Sequence, residues 1–361
     1  MKNTIPYISL LFSFMLITIV SIGQSCLPDG ITFNNQVQID SFSYNYTGCH
    51  EIEGGVIITG SIISNLNGLS EINKINGNLL IINADSLVNL QGLNNLGSIG
   101  GQLWIGYFGP DGNMSLESIS GLESLKRIGQ GLTVIQNPKL ENFIGFDSLS
   151  YVYDIHIGSN ESLNSLIGFN SLDTVDYGLR ISGTESLIDL NGLNNLSYIN
   201  HNLTINGNEV LSSLSGIDNL IENSVDWFLH IYNNPNLSQC EVESICNILA
   251  DTITAVSIDN NYVGCNSPEE VIQACMVSIP VSEYRTGSIS IFPNPTKDKI
   301  NLDFNKDINP IDIKIFDVAG KLKHISKFEP TEIDISNLDP GIYIVEIKTF
   351  NNIIRKKIIK H

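Results

Sequence analysis

The chain has 361 residues, 38 of them Asp or Glu and 19 Lys or Arg, a length that accommodates two or three domains of the usual roughly 100–200 residues. The charge is lopsided: residues 281–361 hold 13 basic and 11 acidic side chains, which leaves 6 basic and 27 acidic ones in residues 1–280, a net of −21. A body this acidic repels nucleic acid and anionic membrane surfaces, which excludes both as partners.

In chain order, Lys2, an apolar run over 5–20 and the small-residue end Ser21-Ile22-Gly23 come first. That is the layout of a secretory signal peptide over 1–23, with the mature chain expected to start near Gln24. The residues before Cys26 lack the aliphatic lead of a lipobox. No later stretch reaches the roughly 20 apolar residues of a membrane span. Six cysteines follow the leader: Cys26, Cys49, Cys240, Cys246, Cys265 and Cys275. An even number in an exported chain reads as three disulfides, and the pairing of the four rear cysteines stays open.

Between these two cysteine groups the sequence repeats itself. Gly68, Gly92, Gly121, Gly145, Gly168, Gly192 and Gly216 follow at spacings of 24, 29, 24, 23, 24 and 24 residues. Each sits in a phrase such as Leu190-Asn-Gly192-Leu193-Asn-Asn-Leu196. A fixed period of this size marks a solenoid, whose units bury their apolar faces only by stacking. Downstream of the glycines lie short strand signatures: Leu79-Leu80-Ile81, Leu103-Trp104-Ile105, Leu132-Thr133-Val134, Ile155-His156-Ile157, Leu179-Arg180-Ile181, Leu203-Thr204-Ile205 and Leu229-His230-Ile231. Alternation points the first and third residue of each inward and the middle one outward. Five places after the leading residue stand Asn137, Asn160, Asn208 and Asn234, expected to bond turn backbone in adjacent units as a ladder. Phe108 and Thr184 depart from it, and the Gly92 unit carries an insert around residues 107–113.

This L-x-I-x-x-N-x-x-L pattern resembles leucine-rich repeats, and the G-L-x-x-L-x-x-I half resembles the receptor L domain. The resemblance covers roughly residues 50 to 260 and implies a mainly β fold, a leucine-rich-like β-solenoid over 53–239. Solenoid ends need caps. Residues 24–52, stapled by Cys26 and Cys49, serve at the front and the Cys-rich segment 240–277 at the back. In the rear cap the spacing over 240–250 is helical, 255–258 reads as a strand, and Ser267 and Pro268 open a second helix. Asp259, Asn261, Gly264 and Glu270 match four places of a calcium loop, but Val263 and Cys265 fall on ligand places, so no metal is expected.

After a linker at 278–287 the pattern changes to six short alternating strands, at 289–292, 299–304, 311–316, 332–335, 342–347 and 353–359, with turn residues between them. That argues a small Ig-like antiparallel β-sandwich. Phe292-Pro293-Asn294-Pro295, Ile315-Phe-Asp-Val-Ala-Gly320-Lys321, Leu338-Asp-Pro-Gly341-Ile-Tyr343-Ile344 and the basic end Arg355-Lys356-Lys357 resemble the type A C-terminal sorting domain of the type IX secretion system in Bacteroidota. Over 288–361 the resemblance implies a partnership with that machinery. It also implies passage through the periplasm to the cell surface or the medium.

No hydrolase, P-loop or zinc-protease motif occurs, so no cofactor or catalytic residue is assigned. The candidates for contact are the outward strand residues Leu80, Trp104, Thr133, His156, Arg180, Thr204 and His230, with Tyr232 beyond. Among these, Trp104, His156, Arg180, His230 and Tyr232 can stack on or grip a ligand. The expectation is a non-enzymatic recognition protein for an extracellular protein or glycan. A structural or adhesive spacer is the alternative. A carbohydrate-active enzyme is a third, but it would need paired carboxylates where the face offers Asp154 alone.

Overall fold

The computed structural model describes residues 24–109, 112–221, 224–250, 254–278, 289–304, 310–317, 320–327, 332–349 and 353–361. The leader expected over 1–23, and the linker expected over 278–287 from residue 279 on, lie outside them. The repeats build one 15-stranded sheet of parallel strands, and each unit feeds two ladders. The first is the one legible in the sequence. It stacks Val56–Thr59, Leu79–Ile82, Leu103–Ile105, Asn202–Asn206, Phe228–Tyr232 and Ala255–Asp259, with three longer strands at its centre. The second ladder pairs Cys49–Ile52, Lys74–Ile75, Ser98–Ile99 and Tyr198–Ile199. It escaped the sequence reading because a two-residue strand has no alternation to display. In the middle units both ladders fuse into Arg127–Ile135, Tyr151–Gly158 and Thr174–Ser182, with a register shift between Val152 and Asp154.

The inward places are buried throughout, and the outward ones are open except at Thr133, which is 9% exposed within the fused strand Arg127–Ile135. Leu179 and Ile181 are 1% and 0% exposed while Arg180 between them faces solvent. The repeat glycine has a steric cause. At Gly192 the backbone takes φ +117°, and a Cβ there would fall 2.3 Å from the carbonyl carbon and oxygen of Leu166 in the preceding unit. Both conditions exclude an ordinary L side chain. The leucines that follow, Leu193 and Leu196, go straight to the core with Ile199. Phe143, Phe146 and Phe169 take leucine places of the phrase and pack together, with centroids 4.7–6.1 Å apart.

Burying so many strand turns leaves backbone groups to satisfy, and the asparagines do this. Asn137 Nδ2 donates to the carbonyls of Ile105 and Ile135, and its own backbone N–H donates to Asn160 Oδ1. Asn208 and Asn234 repeat the arrangement. Phe108 is not a rung: the insert loops out and Asn113, fully buried, takes the place, accepting from Ala84 N and donating to Asn137 Oδ1. Asn261, read above as a calcium-loop match, is the last rung, accepting from Asn234 and donating to Ile231 and Cys265 carbonyls. Glu270 accepts from the N–H groups of Gly264 and Asn266, so it closes this loop itself. Thr184 breaks the row, reaching Asn208 Oδ1 through its N–H and hydroxyl.

Cys26 pairs with Cys49, Cys240 with Cys265 and Cys246 with Cys275, the pairing the sequence left open at the rear. The rear helices are Glu243–Ala250 and Pro268–Ser278. The front cap adds two short helices, Gln36–Asp40 and Phe42–Asn45, that placed Phe42 in the core.

Among the described residues the tail is a sandwich of seven strands. Ile289–Phe292, Lys299–Phe304 and Glu332–Asp334 form one antiparallel sheet; Leu322–Lys327, Pro310–Asp317, Gly341–Thr349 and Ile353–Lys360 form the other. Their shared core contains Ile300, Ile313, Ile315, Val345, Ile347 and Ile358. The seventh strand, Leu322–Lys327, is an edge strand with much of its surface exposed, so it shows little apolar alternation.

Candidate ligand-binding face and sorting tail

On the outer face of the first ladder the residues align across strands in register. One row runs Leu80, Trp104, Thr133, His156, Arg180, Thr204 and His230. The row two residues upstream runs Gln102, Gly131, Asp154, Gly178, Asn202 and Phe228. The insert turns its aromatics back onto this face. Tyr107 and Phe108 pack on Trp104 with centroids at 5.2 and 5.8 Å, and Phe108 reaches His156 at 5.9 Å. Trp104 Nε1 donates to Gln102 Oε1 at 2.8 Å, which fixes the indole. At the other end Phe228, His230 and Tyr232 form a chain with centroids 5.2 and 6.5 Å apart. Trp104 and His156 are thus linked through Phe108, and His230 with Tyr232. Arg180 stands exposed between the two groups.

A second aromatic series, which the sequence reading missed, borders the face where the two ladders meet. Tyr153, Tyr177, His201 and Trp227 follow one another with centroids 5.4, 5.5 and 6.0 Å apart, and Trp227 continues onto Phe228 at 5.2 Å. The signal was present: 153, 177 and 201 are 24 residues apart. These residues stand ahead of each L-x-I triplet, outside the three places whose middle residue marks the outward face. Exposure of 41% at Tyr153 and 51% at Trp227 makes this border a surface feature.

The centre of the face differs from its borders. Burial holds the Asp154 carboxyl above the usual aspartate range. Burial first, and the Arg180 guanidinium second, hold His156 below the usual imidazole value, so the ring is neutral at pH 7. Its Nε2 lies 3.4 Å from Ser182 Oγ. No described group of three or more His, Cys, Asp or Glu could hold a metal ion.

In the tail, the Pro293-Asn294-Pro295 segment lies along the last strand. Asn294 donates from Nδ2 to the Lys357 carbonyl and accepts from Ile359 N–H, and Thr296 N–H donates to the Ile359 carbonyl. Gly320, at φ +74°, donates its N–H to Asp317 O to close a turn. Tyr343, 5% exposed, donates to the Asp339 carbonyl at the turn before Gly341. Lys356 and Lys357 pair opposite Val345 and Ile344. Each motif of the tail thus closes a turn or fastens the final strand. Residues 290–361 match the family model of the secretion system C-terminal sorting domain. The sorting domain directs export through the type IX system, which places the chain outside the cell or on its outer surface. Residues 48–140 match the receptor L domain, and the same ladder geometry continues past that match to Asp259. No curated protein matches the chain. No described helix is long and apolar enough to cross a membrane.

Proposed function

We propose that this chain is a secreted or cell-surface recognition protein, delivered by the type IX machinery through residues 288–361. In this reading it binds an extracellular protein or glycan on the outer face of the first ladder and does no chemistry on it. The observation that carries the reading is the aromatic border from Tyr153 to Trp227, joined through Phe228 to His230 and Tyr232. Exposed aromatics in register are costly to leave in water and mark contact surfaces. Against catalysis, the register neighbours of Asp154 are glycines, so no second carboxylate stands across from it as a glycosidase pair would require.

Two measurements test the two halves. A chain ending at Gly287 is expected to accumulate in the periplasm; normal appearance outside the cell would remove the export half. A benzophenone cross-linker at Thr204, a half-buried place in the same row, on intact cells is expected to trap an extracellular partner or glycan, and Trp104→Ala is expected to reduce that yield at least fivefold. No cross-link above that of a probe on the Lys139 side of the solenoid would remove the recognition half.

A further inference from the structure

The centre of the same face carries a narrower reading, which rests on the recognition role. In the central units three outward places are glycine: Gly131 and Gly178 on either side of Asp154, and Gly158 beside Ser182. None of the three takes a positive φ. At Gly131 a Cβ would meet nothing closer than Asp154 O at 3.6 Å, so the fold has room for a side chain there and leaves it out. At Gly178 the nearest atom to a Cβ is Asp154 Oδ1 itself, at 3.1 Å. The open place is at Gly131: Gly178 lies buried beneath the Asp154 carboxylate and Gly158 beneath Ser182 and His156, so the face dips on the Gly131 side of Asp154 and that dip is the trough.

The polar groups around this trough are short of donors. Asp154 accepts no hydrogen bond from any described residue, and the amide oxygens of Asn202 and Asn206, on the next strand, find no described donor either. Of the two, Asn202 is in register with Gly178 and Asp154 and lies beside the trough, whereas Asn206 sits four residues further along, opposite Ser182. The hydroxyls of Tyr153 and Tyr177 stand on the border, and Arg180 supplies the donors. An anion entering here would face Asp154 and a body of net charge −21. A cation is drawn by that net charge but finds a single carboxylate, with glycine at both register neighbours and the Arg180 guanidinium on the next row. The unpartnered acceptors and the aromatic rim suit a neutral molecule that brings many O–H donors and some C–H surface. A protein partner would instead ask for a well-packed apolar centre, and here the aromatics are at the rim and the centre is glycine and carboxylate. Strands repeat at about 4.8 Å, a spacing close to that of successive sugar rings in an extended chain, so each solenoid unit can meet one ring.

We infer that the trough around Gly131, Asp154 and Gly178 is the binding site for a neutral, unbranched oligosaccharide lying across the strands. Its rings rest against the Trp104–Phe108 group and the Trp227 border, and its hydroxyls donate to Asp154.

The test uses the protein purified from native cells and a panel of unbranched oligosaccharides of two to six units. The panel covers neutral β-linked and α-linked glucose, mannose and xylose series, together with an acidic galacturonate series. Binding is read by tryptophan fluorescence and calorimetry. The expected result is that at least one neutral series binds, with affinity rising up to four units and then levelling. It should change less than twofold between 0.05 and 0.5 M salt. Gly131→Leu should block binding at least tenfold at unchanged thermal stability, and Asp154→Asn should weaken it about tenfold. If no neutral series binds while the Thr204 cross-linker traps a protein, the glycan assignment falls and the recognition role stands. If a neutral series binds but Gly131→Leu and Asp154→Asn leave it unchanged, the trough is not the site. If only the acidic series binds, the argument from neutral donors is overturned.

Discussion

Removing one rung of the asparagine row isolates what the row contributes. Asn208 is fully buried; its Oδ1 accepts from Thr184 N–H at 3.2 Å and from the Thr184 hydroxyl at 2.8 Å, and its Nδ2 donates to the Ile181 carbonyl and to Asn234 Oδ1. In Asn208→Ala the Thr184 amide and hydroxyl lose their acceptor inside a water-free stack. Asn234 Oδ1 keeps the Asn208 backbone N–H. Each buried polar group left unpaired costs about 1–3 kcal/mol, so two of them and a small void amount to about 4 kcal/mol. For a body of this size that lowers Tm by on the order of 10 °C. Asn206, two residues upstream on the outer face, is the control. Its amide oxygen already lacks a described partner, so Asn206→Ala is expected to stay within about 0.5 kcal/mol. Urea unfolding of both variants gives the difference, and hydrogen exchange locates it, with protection falling first in the units around 181–184 and 208. A loss below about 1 kcal/mol at Asn208, or equal losses at both positions, would refute the claim that the row carries backbone satisfaction.

Three further outcomes follow from the same geometry. Leu179→Ala should cost about 2–5 kcal/mol from lost burial and the cavity, and Arg180→Ala no more than about half a kcal/mol, by thermal melting; similar losses would mean the strand faces are misassigned. Thr184→Asn restores the missing rung in a site of nearly the same volume, and should raise stability by about 0.5–1.5 kcal/mol as one net hydrogen bond; a decrease would show the break to be required. For His156 the folded-state value lies below the unfolded 6.5, so the folded protein binds fewer protons. Stability is then complete above pH 6.5 and is lost as pH falls from there through the folded value, a loss His156→Gln should diminish. Asp154 runs the other way. Its value is raised above 3.8 by burial, so stability falls as pH rises from 3.8 through the folded value, and Asp154→Asn should be the more stable protein at pH 7. Urea midpoints from pH 3 to 8 read both signs.

The solenoid was legible because its regularities are of one residue type at one spacing. A glycine every 24 residues and an L-x-I behind it name the core rows directly. The strands of two residues at Lys74 and Ser98 had no pattern to find, and the insert at 107–113 hid Asn113 by shifting it five places beyond Phe108. The candidate face was legible only by half. Trp104, His156, Arg180 and His230 are legible because each interrupts a hydrophobic pair, and Tyr232 because it directly follows one. The Gly131–Asp154–Gly178 trough was not, since an absent side chain matters only when its neighbours across the sheet are known. Sequence motifs marked the tail, yet the reason for Asn294, its hold on the last strand 63 and 65 residues away, is purely tertiary.

The close approach of each repeat glycine to the carbonyl of the unit before it bears on how such a chain changes over generations. A unit spacing set by backbone contact fixes where a length change can be absorbed: repeat glycines stand 23 or 24 residues apart and Leu203 and Leu229, paired in register, 26, while a duplicated whole unit keeps every contact. The 29-residue unit is the longest of these departures. Its additional residues leave the stack between Gly106 and Asn113, and the aromatics they carry, Tyr107 and Phe108, come to rest on Trp104. Length variation is thereby steered to the rim of the face, where it alters what the protein touches and leaves untouched what holds it up.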